Sequence, residues 1–217
     1  MRYTVAVHPA LAPTRFVDSD HPRVQAFARE ICGDAATDRE RAARLFAAVR
    51  DRLRYDPYSM TIDPADYVAS TILERPRAYC VPKAVALCAA ARAAGIPAWL
   101  GFADVKNHLA SEKLLAVLGT DLFVFHGYVA MEIDGVVHKA SPAFNAELCA
   151  RFGVPALEFD GTSDAMLHAF DGAGHRYMEY LRDRGLHLEL PFDEMMRTFA
   201  ETYRPAPLPE KDEAFER

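Results

Sequence analysis

The chain has 217 residues, 51% of them hydrophobic, and 25 Lys+Arg against 31 Asp+Glu give a formal net charge of −6. That length and apolar content suffice for one sizeable core. An acidic balance with no basic block argues against nucleic acid as a partner, and no window approaches the roughly 18 apolar residues of a membrane span. The N-terminus, Met1-Arg2-Tyr3-Thr4-Val5-Ala6-Val7-His8-Pro9, reads as a short alternating strand, too short for the apolar segment of a signal peptide. Four cysteines, Cys32, Cys80, Cys88 and Cys149, form no CxxC pair. They read as free thiols of a reducing compartment, so the chain is expected to be cytoplasmic.

Asp18-Ser19-Asp20-His21-Pro22 starts a first helix, in which Val24, Phe27 and Ile31 recur at helical spacing until Gly33. Thr37 with Glu40 three residues on is a capping box for a second helix, whose apolar stripe is Ala42, Leu45, Phe46, Val49 and Leu53. Tyr55-Asp56-Pro57-Tyr58 ends it, because the residue before a proline avoids the helical region. A short helix from Ala65 to Glu74 is expected next. Val81 to Ala94 is then almost pure helix former, with Pro82 in its first turn and Gly95-Ile96-Pro97 as its stop.

Cys80 heads that helix. Unpaired backbone N–H groups and the positive end of the macrodipole favour a thiolate there, so Cys80 is a candidate nucleophile. Ala98 to Ala103 reads as a buried strand, and Ser111 to Leu118 as a short helix stopped by Gly119. Leu122–Ile133 and Val136–Ser141 flank Asp134-Gly135, a strong hairpin signature. Short helices are expected at Ala146–Phe152 and Asp193–Tyr203. The reading is one α+β domain over residues 1–203, with a mobile proline-rich and charged tail over 204–217.

A nucleophile needs a base, and a base needs an orienting group. His126 lies in the middle of the hairpin's first strand. A two-residue turn pairs Ile133 with Val136, so paired positions sum to 269 and His126 opposes Ala143. Ser141 and Asn145 are its diagonal neighbours on the same sheet face, and His138 falls on the other. A bulge near Pro142 would reverse that face. Cys88 and Cys149 read as core fillers, His108, His168, His175 and His187 as surface or structural residues, and Tyr177, Met178 and Tyr180 as core or groove lining. No CxxC or HxxxH pair anchors a metal site, and no cofactor is expected.

A Cys-headed helix closed by Gly95-Ile96-Pro97, a strand, and then His126-Gly127-Tyr128-Val129 on a hairpin resembles the transglutaminase-like superfamily. The resemblance extends from residue 37 to 145. It includes the upstream Arg50-Asp51-Arg52-Leu53-Arg54-Tyr55-Asp56-Pro57 and the Ala69-Ser70-Thr71-Ile72-Leu73 leading into the cysteine. It implies a papain/transglutaminase-like core, with the cysteine-headed central helix packed on an antiparallel sheet. It also implies Cys80 as nucleophile and His126 as general base.

The family's third catalytic residue precedes a proline on the strand after the histidine, and here Ser141 holds that place. Asn145 is the other candidate, since papain-like sites orient their histidine with an amide. Tyr79 replaces the glycine usual before the cysteine, and Trp99 stands where arginine is common. The backbone N–H of Cys80 is the first oxyanion donor, with Tyr55 and Tyr58 as side-chain candidates. The implied activity is hydrolysis or acyl transfer at an amide or peptide bond through a Cys80 thioester, with a peptide, protein or small amide as substrate. The alternative is a catalytically weak or inactive domain that binds a peptide or protein partner in the Cys80 groove, a reading favoured by the missing acid at Ser141. The 104–120 segment, which joins the Cys half to the His half, is a candidate lid.

Overall fold

Strong start and stop signals make the N-terminal half helical. Helix α1 (Pro22–Cys32) begins with His21 Nδ1 accepting the Arg23 N–H and ends at Gly33 with φ 51. Helix α2 (Asp38–Arg52) carries the expected capping box, in which Thr37 Oγ1 accepts the Glu40 N–H while the Glu40 carboxylate accepts the Thr37 N–H. These are contacts of a computed structural model, which describes residues 8–108, 110–167 and 178–203. The stretch expected as one helix over 65–74 divides instead. Pro64–Tyr67 forms a 3-10 turn and only Ala69–Ile72 (α3) is α-helical. Residues 1–7 of the expected first strand and the expected tail over 204–217 lie outside the described residues, as do His168, His175 and Tyr177.

Helix α4 (Cys80–Ala93) has no solvent face: every residue from Val81 to Arg92 is buried. It packs against α1, α2 and α3 as well as the sheet. Its alanines are the physical reason, since small side chains let several elements approach one helix closely. The chain then leaves through Gly95 at φ 84, a left-handed position that suits glycine.

The four-stranded sheet has the order β5-β4-β3-β6, built from β3 (Ala98–Asn107), β4 (Leu122–Ile133), β5 (Val136–Ala140) and β6 (Met178–His187). All neighbours are antiparallel. Asp134 and Gly135 both have positive φ, the two-residue turn whose twist matches its strands. It sets Ile133 against Val136 and Val129 against Ala140, the expected register. Strand β6 was not expected: it is an edge strand, mostly exposed and rich in charge, so it lacks a buried strand's apolar alternation. Short parallel strands β1 (Arg54–Tyr55) and β2 (Arg77–Ala78) pair just before Cys80. Helices α5 (Glu112–Leu118), α6 (Ala146–Arg151) and α7 (Phe192–Thr202) complete the α+β core. One hydrophobic cluster runs through it from Phe16 to Phe199.

Gly101 shows how tightly the sheet is packed. A Cβ there would lie 2.1 Å from Tyr128 Cε2. Tyr128 is itself fully buried, with its hydroxyl donating to Asp183 Oδ1 at 3.3 Å. Gly101→Ala should therefore destabilise the fold by about 1–3 kcal/mol, the usual cost of overpacking. Urea denaturation measures it.

Candidate active site

Cys80 is the first residue of α4, and the extended Tyr79 before it is held rather than free. The Tyr79 hydroxyl donates to the Tyr67 hydroxyl at 2.8 Å, and Tyr67 donates on to the Thr61 carbonyl at 2.8 Å. In place of the glycine that the resemblance implies, a buried phenol anchors the residue preceding the thiol. Desolvation pushes the Cys80 thiol up to about 11, against an opposing pull from the neighbouring backbone N–H groups of Gly127, Val81 and Cys80. The helix N-terminus thus supplies the expected donors, but desolvation outweighs them and the resting group is a thiol.

His126 lies on β4 and is buried. Its Nε2 is 3.2 Å from Ser141 Oγ, and the fully buried Ser141 is fixed by its own N–H donating to the Ala165 carbonyl at 2.9 Å. Burial pulls the imidazole down to about 4, so it is neutral at physiological pH. Gly127, next in the chain, is the close approach between sheet and helix. A Cβ there would stand 3.0 Å from both the Cys80 carbonyl oxygen and Val81 Cα. Cys80 and His126 line the same cavity, which opens to solvent. Its other walls are largely aromatic and aliphatic, among them Tyr55, Phe123, Phe144 and Met178. The 104–120 segment contributes Val105, Asn107, Leu114 and Leu118 to those walls.

The structure brings Cys80, His126, Ser141 and Tyr55 together and sends Asn145 elsewhere. Asn145 Oδ1 accepts the Tyr55 N–H at 3.0 Å, so its amide holds β1. Of the two oxyanion candidates, Tyr55 lines the cavity, its ring edge-on to Phe144. Tyr58 is not among the lining residues; its N–H donates to Asp56 Oδ1 at 2.9 Å, as in an Asx turn. Among the described residues no three of His, Cys, Asp and Glu gather as a metal ligand set. All four cysteines are free thiols.

Sequence reasoning missed Lys83. It is fully buried one turn beyond Cys80, with Nζ donating to the carbonyls of Arg50 at 2.8 Å and Leu53 at 2.6 Å, the unpaired end of α2. Burial pulls its ammonium down to about 7. The available signal was one lysine in an otherwise apolar run from Val81 to Ala91.

Comparison with known proteins agrees with this architecture. Residues 25–133 match the model of the transglutaminase-like superfamily, and the chain belongs to that superfamily. Cys80 and His126 fall inside the matched stretch, Ser141 and Asn145 beyond it. No curated protein matches. Among solved structures, a candidate cysteine protease from Cytophaga hutchinsonii superposes with a TM-score of 0.49 at 16% identity, covering 83% of this chain and 54% of that one. A candidate protease from Parabacteroides distasonis gives a TM-score of 0.40 at 18% identity, covering 61% and 26%. The chain therefore spans about half the length of the first of these. No described helix is long and apolar enough to cross a membrane.

Proposed function

We propose that this chain is a cysteine-dependent hydrolase or acyltransferase of amide or peptide bonds, with Cys80 as nucleophile and His126 as base. The observation that carries the reading is that both side chains line one cavity while Gly127 presses β4 onto the backbone of Cys80 and Val81. In the resting site both groups are neutral, so proton transfer accompanies attack. His126 takes the thiol proton as Sγ adds to the substrate carbonyl, and the oxyanion gathers donors beginning with the Cys80 N–H. Collapse breaks the C–N bond, and the departing amine takes the proton back from His126. Water or a second amine, deprotonated by His126, then releases the acyl group from the thioester. Tyr55 is the side-chain oxyanion candidate and Ser141 the orienting partner of His126. We extend the proposal to one domain over residues 1–203.

The test is turnover of a peptide-amide library in the presence of hydroxylamine, with acyl hydroxamates read by mass spectrometry. Cys80→Ala should abolish their formation, and His126→Ala should lower it by about 10²–10⁴-fold, the usual worth of a general base. Undiminished turnover in either variant would overturn the assignment.

A second reading, a binding domain that retains the fold, is favoured by one observation: the partner of His126 is an uncharged hydroxyl that gives an imidazolium no compensating charge. Ser141→Asp separates the two readings. It should raise turnover in a weak enzyme. No gain, combined with tight peptide binding by Cys80→Ala, supports the binding domain.

A further inference from the structure

Phe125, directly before His126, has φ 56. For a bulky side chain this left-handed conformation is a genuine outlier. A β-bulge accounts for it. Ala103 opposes His126 while Val105 opposes Phe123, so Val124 and Phe125 share the place opposite Asp104. The other flank of β3 is irregular at the same level. Gly101 opposes Leu186 but Ala103 opposes Asp183, and Asp104 opposes Arg182 but Val105 opposes Tyr180, so β6 has two extra residues around there, with Gly185 at φ 83 beside Arg184.

The Asp104 carboxylate joins the two irregularities. Its Oδ1 accepts the Phe125 N–H at 3.1 Å and Arg184 Nε at 2.6 Å, and its Oδ2 accepts Arg184 Nη2 at 3.0 Å. The Arg184 guanidinium carbon lies 4.2 Å from the centroid of the Phe125 ring, and Glu194 stands 3.7 Å from its Nη1. Both the Asp104 and the Arg184 side chains are only 10% exposed. A buried ion pair adds little net stability over apolar packing, so the geometric effect of this one carries more weight.

That effect reaches the site. Without the extra residue, Val105 would oppose Val124, which would take the place of Phe123 on the sheet face of His126. With it, four consecutive residues, Phe123 to His126, line the cavity, where regular alternation would deliver every second one. We propose that Asp104 and Arg184 are positioning residues: by holding Phe125 left-handed they set the direction in which β4 presents His126 to Cys80. The inference rests on His126 serving as the base proposed above.

Phe125→Gly and Phe125→Val test it, because packing and positioning rank them in opposite order. Valine keeps more of the buried volume but resists positive φ, whereas glycine loses the volume and adopts that φ freely. The readouts are the ring ¹⁵N resonances of His126 across a pH titration and the iodoacetamide rate at Cys80. Phe125→Gly should keep the His126 resonances, while Phe125→Val should shift them and change the Cys80 rate about tenfold or more, as a misplaced group does. Asp104→Leu should behave like Phe125→Val. Asp104→Asn, which keeps an acceptor for the Phe125 N–H but loses the charge facing Arg184, should shift the resonances less.

Equal His126 resonances in the glycine and valine variants would overturn the proposal. Where Phe125→Val or Asp104→Leu fails to fold, unchanged resonances in Asp104→Asn overturn it as well. Failure of the base assignment looks different: His126→Ala would then leave turnover intact, whatever the ring resonances of the Phe125 variants do.

Discussion

Lys83→Ala is expected to lower the folding free energy by on the order of 4 kcal/mol, because it leaves two buried carbonyls without a donor and opens a void. The two acceptors, Arg50 and Leu53, lie 33 and 30 residues earlier, so this one amine ties α4 to the end of α2. Lys83→Met refills the volume without supplying a donor and should recover only part of the loss. Urea titration separates the two contributions.

The pH dependence has a defined sign. The folded group titrates near 7, pulled down chiefly by burial with Asp51 opposing and Arg50 adding to the shift, while the unfolded group keeps its ordinary 10.5. Between about pH 7 and pH 9 the unfolded chain therefore holds a proton that the folded chain has shed, and stability rises with pH. Above that window the Cys80 and Cys88 thiols, raised to about 11 and about 12, reverse the slope. On the acid side, His126 falls from 6.5 unfolded to about 4 folded, so stability falls as pH drops through that interval. Lys83→Met should flatten the neutral-to-alkaline rise and leave the acid limb unchanged.

Gly127→Ala should cost about 1–3 kcal/mol by overpacking and, under the proposed mechanism, about 100-fold in turnover by displacing the proposed reacting groups. Its new methyl would meet two backbone atoms, the Cys80 carbonyl oxygen and Val81 Cα at 3.0 Å, and the Ala84 methyl at 3.2 Å. Backbone at the head of a buried helix has little room to yield, so the strand moves and takes His126 with it. Comparing kcat with KM distinguishes this from a general loss of fold. A fall in KM-dependent binding alone would contradict the geometric account.

The parts of this architecture written in local signals are legible in the sequence. The Thr37–Glu40 box, Gly95-Ile96-Pro97 and Asp134-Gly135 each encode a cap, a stop or a turn, and the structure has all three. From the last of them the place of Ser141 beside His126 follows by counting. The strand does carry a bulge, but on the β3 side of β4, at Val124 and Phe125, and it leaves that neighbour relation intact.

What stays hidden depends on tertiary context. Nothing local marks Phe125 as left-handed, because a carboxylate 21 residues away holds it so. Asn145 has the right spacing for His126, yet a strand made of two residues claims its amide. The thiolate expected at a helix N-terminus becomes a thiol because the dipole argument counts charge and omits desolvation.

The enclosure of α4 has a consequence for how the thiol is held in time. With Val81 to Arg92 buried on every side, the helix has no exposed turn through which to fray. Its amides exchange with solvent only when the layers around it part, which places the mount of Cys80 in the most cooperative unit of the fold. Local breathing that loosens an edge strand such as β6 leaves the sulfur where it is. Displacement of the Cys80 sulfur and global unfolding are then one event.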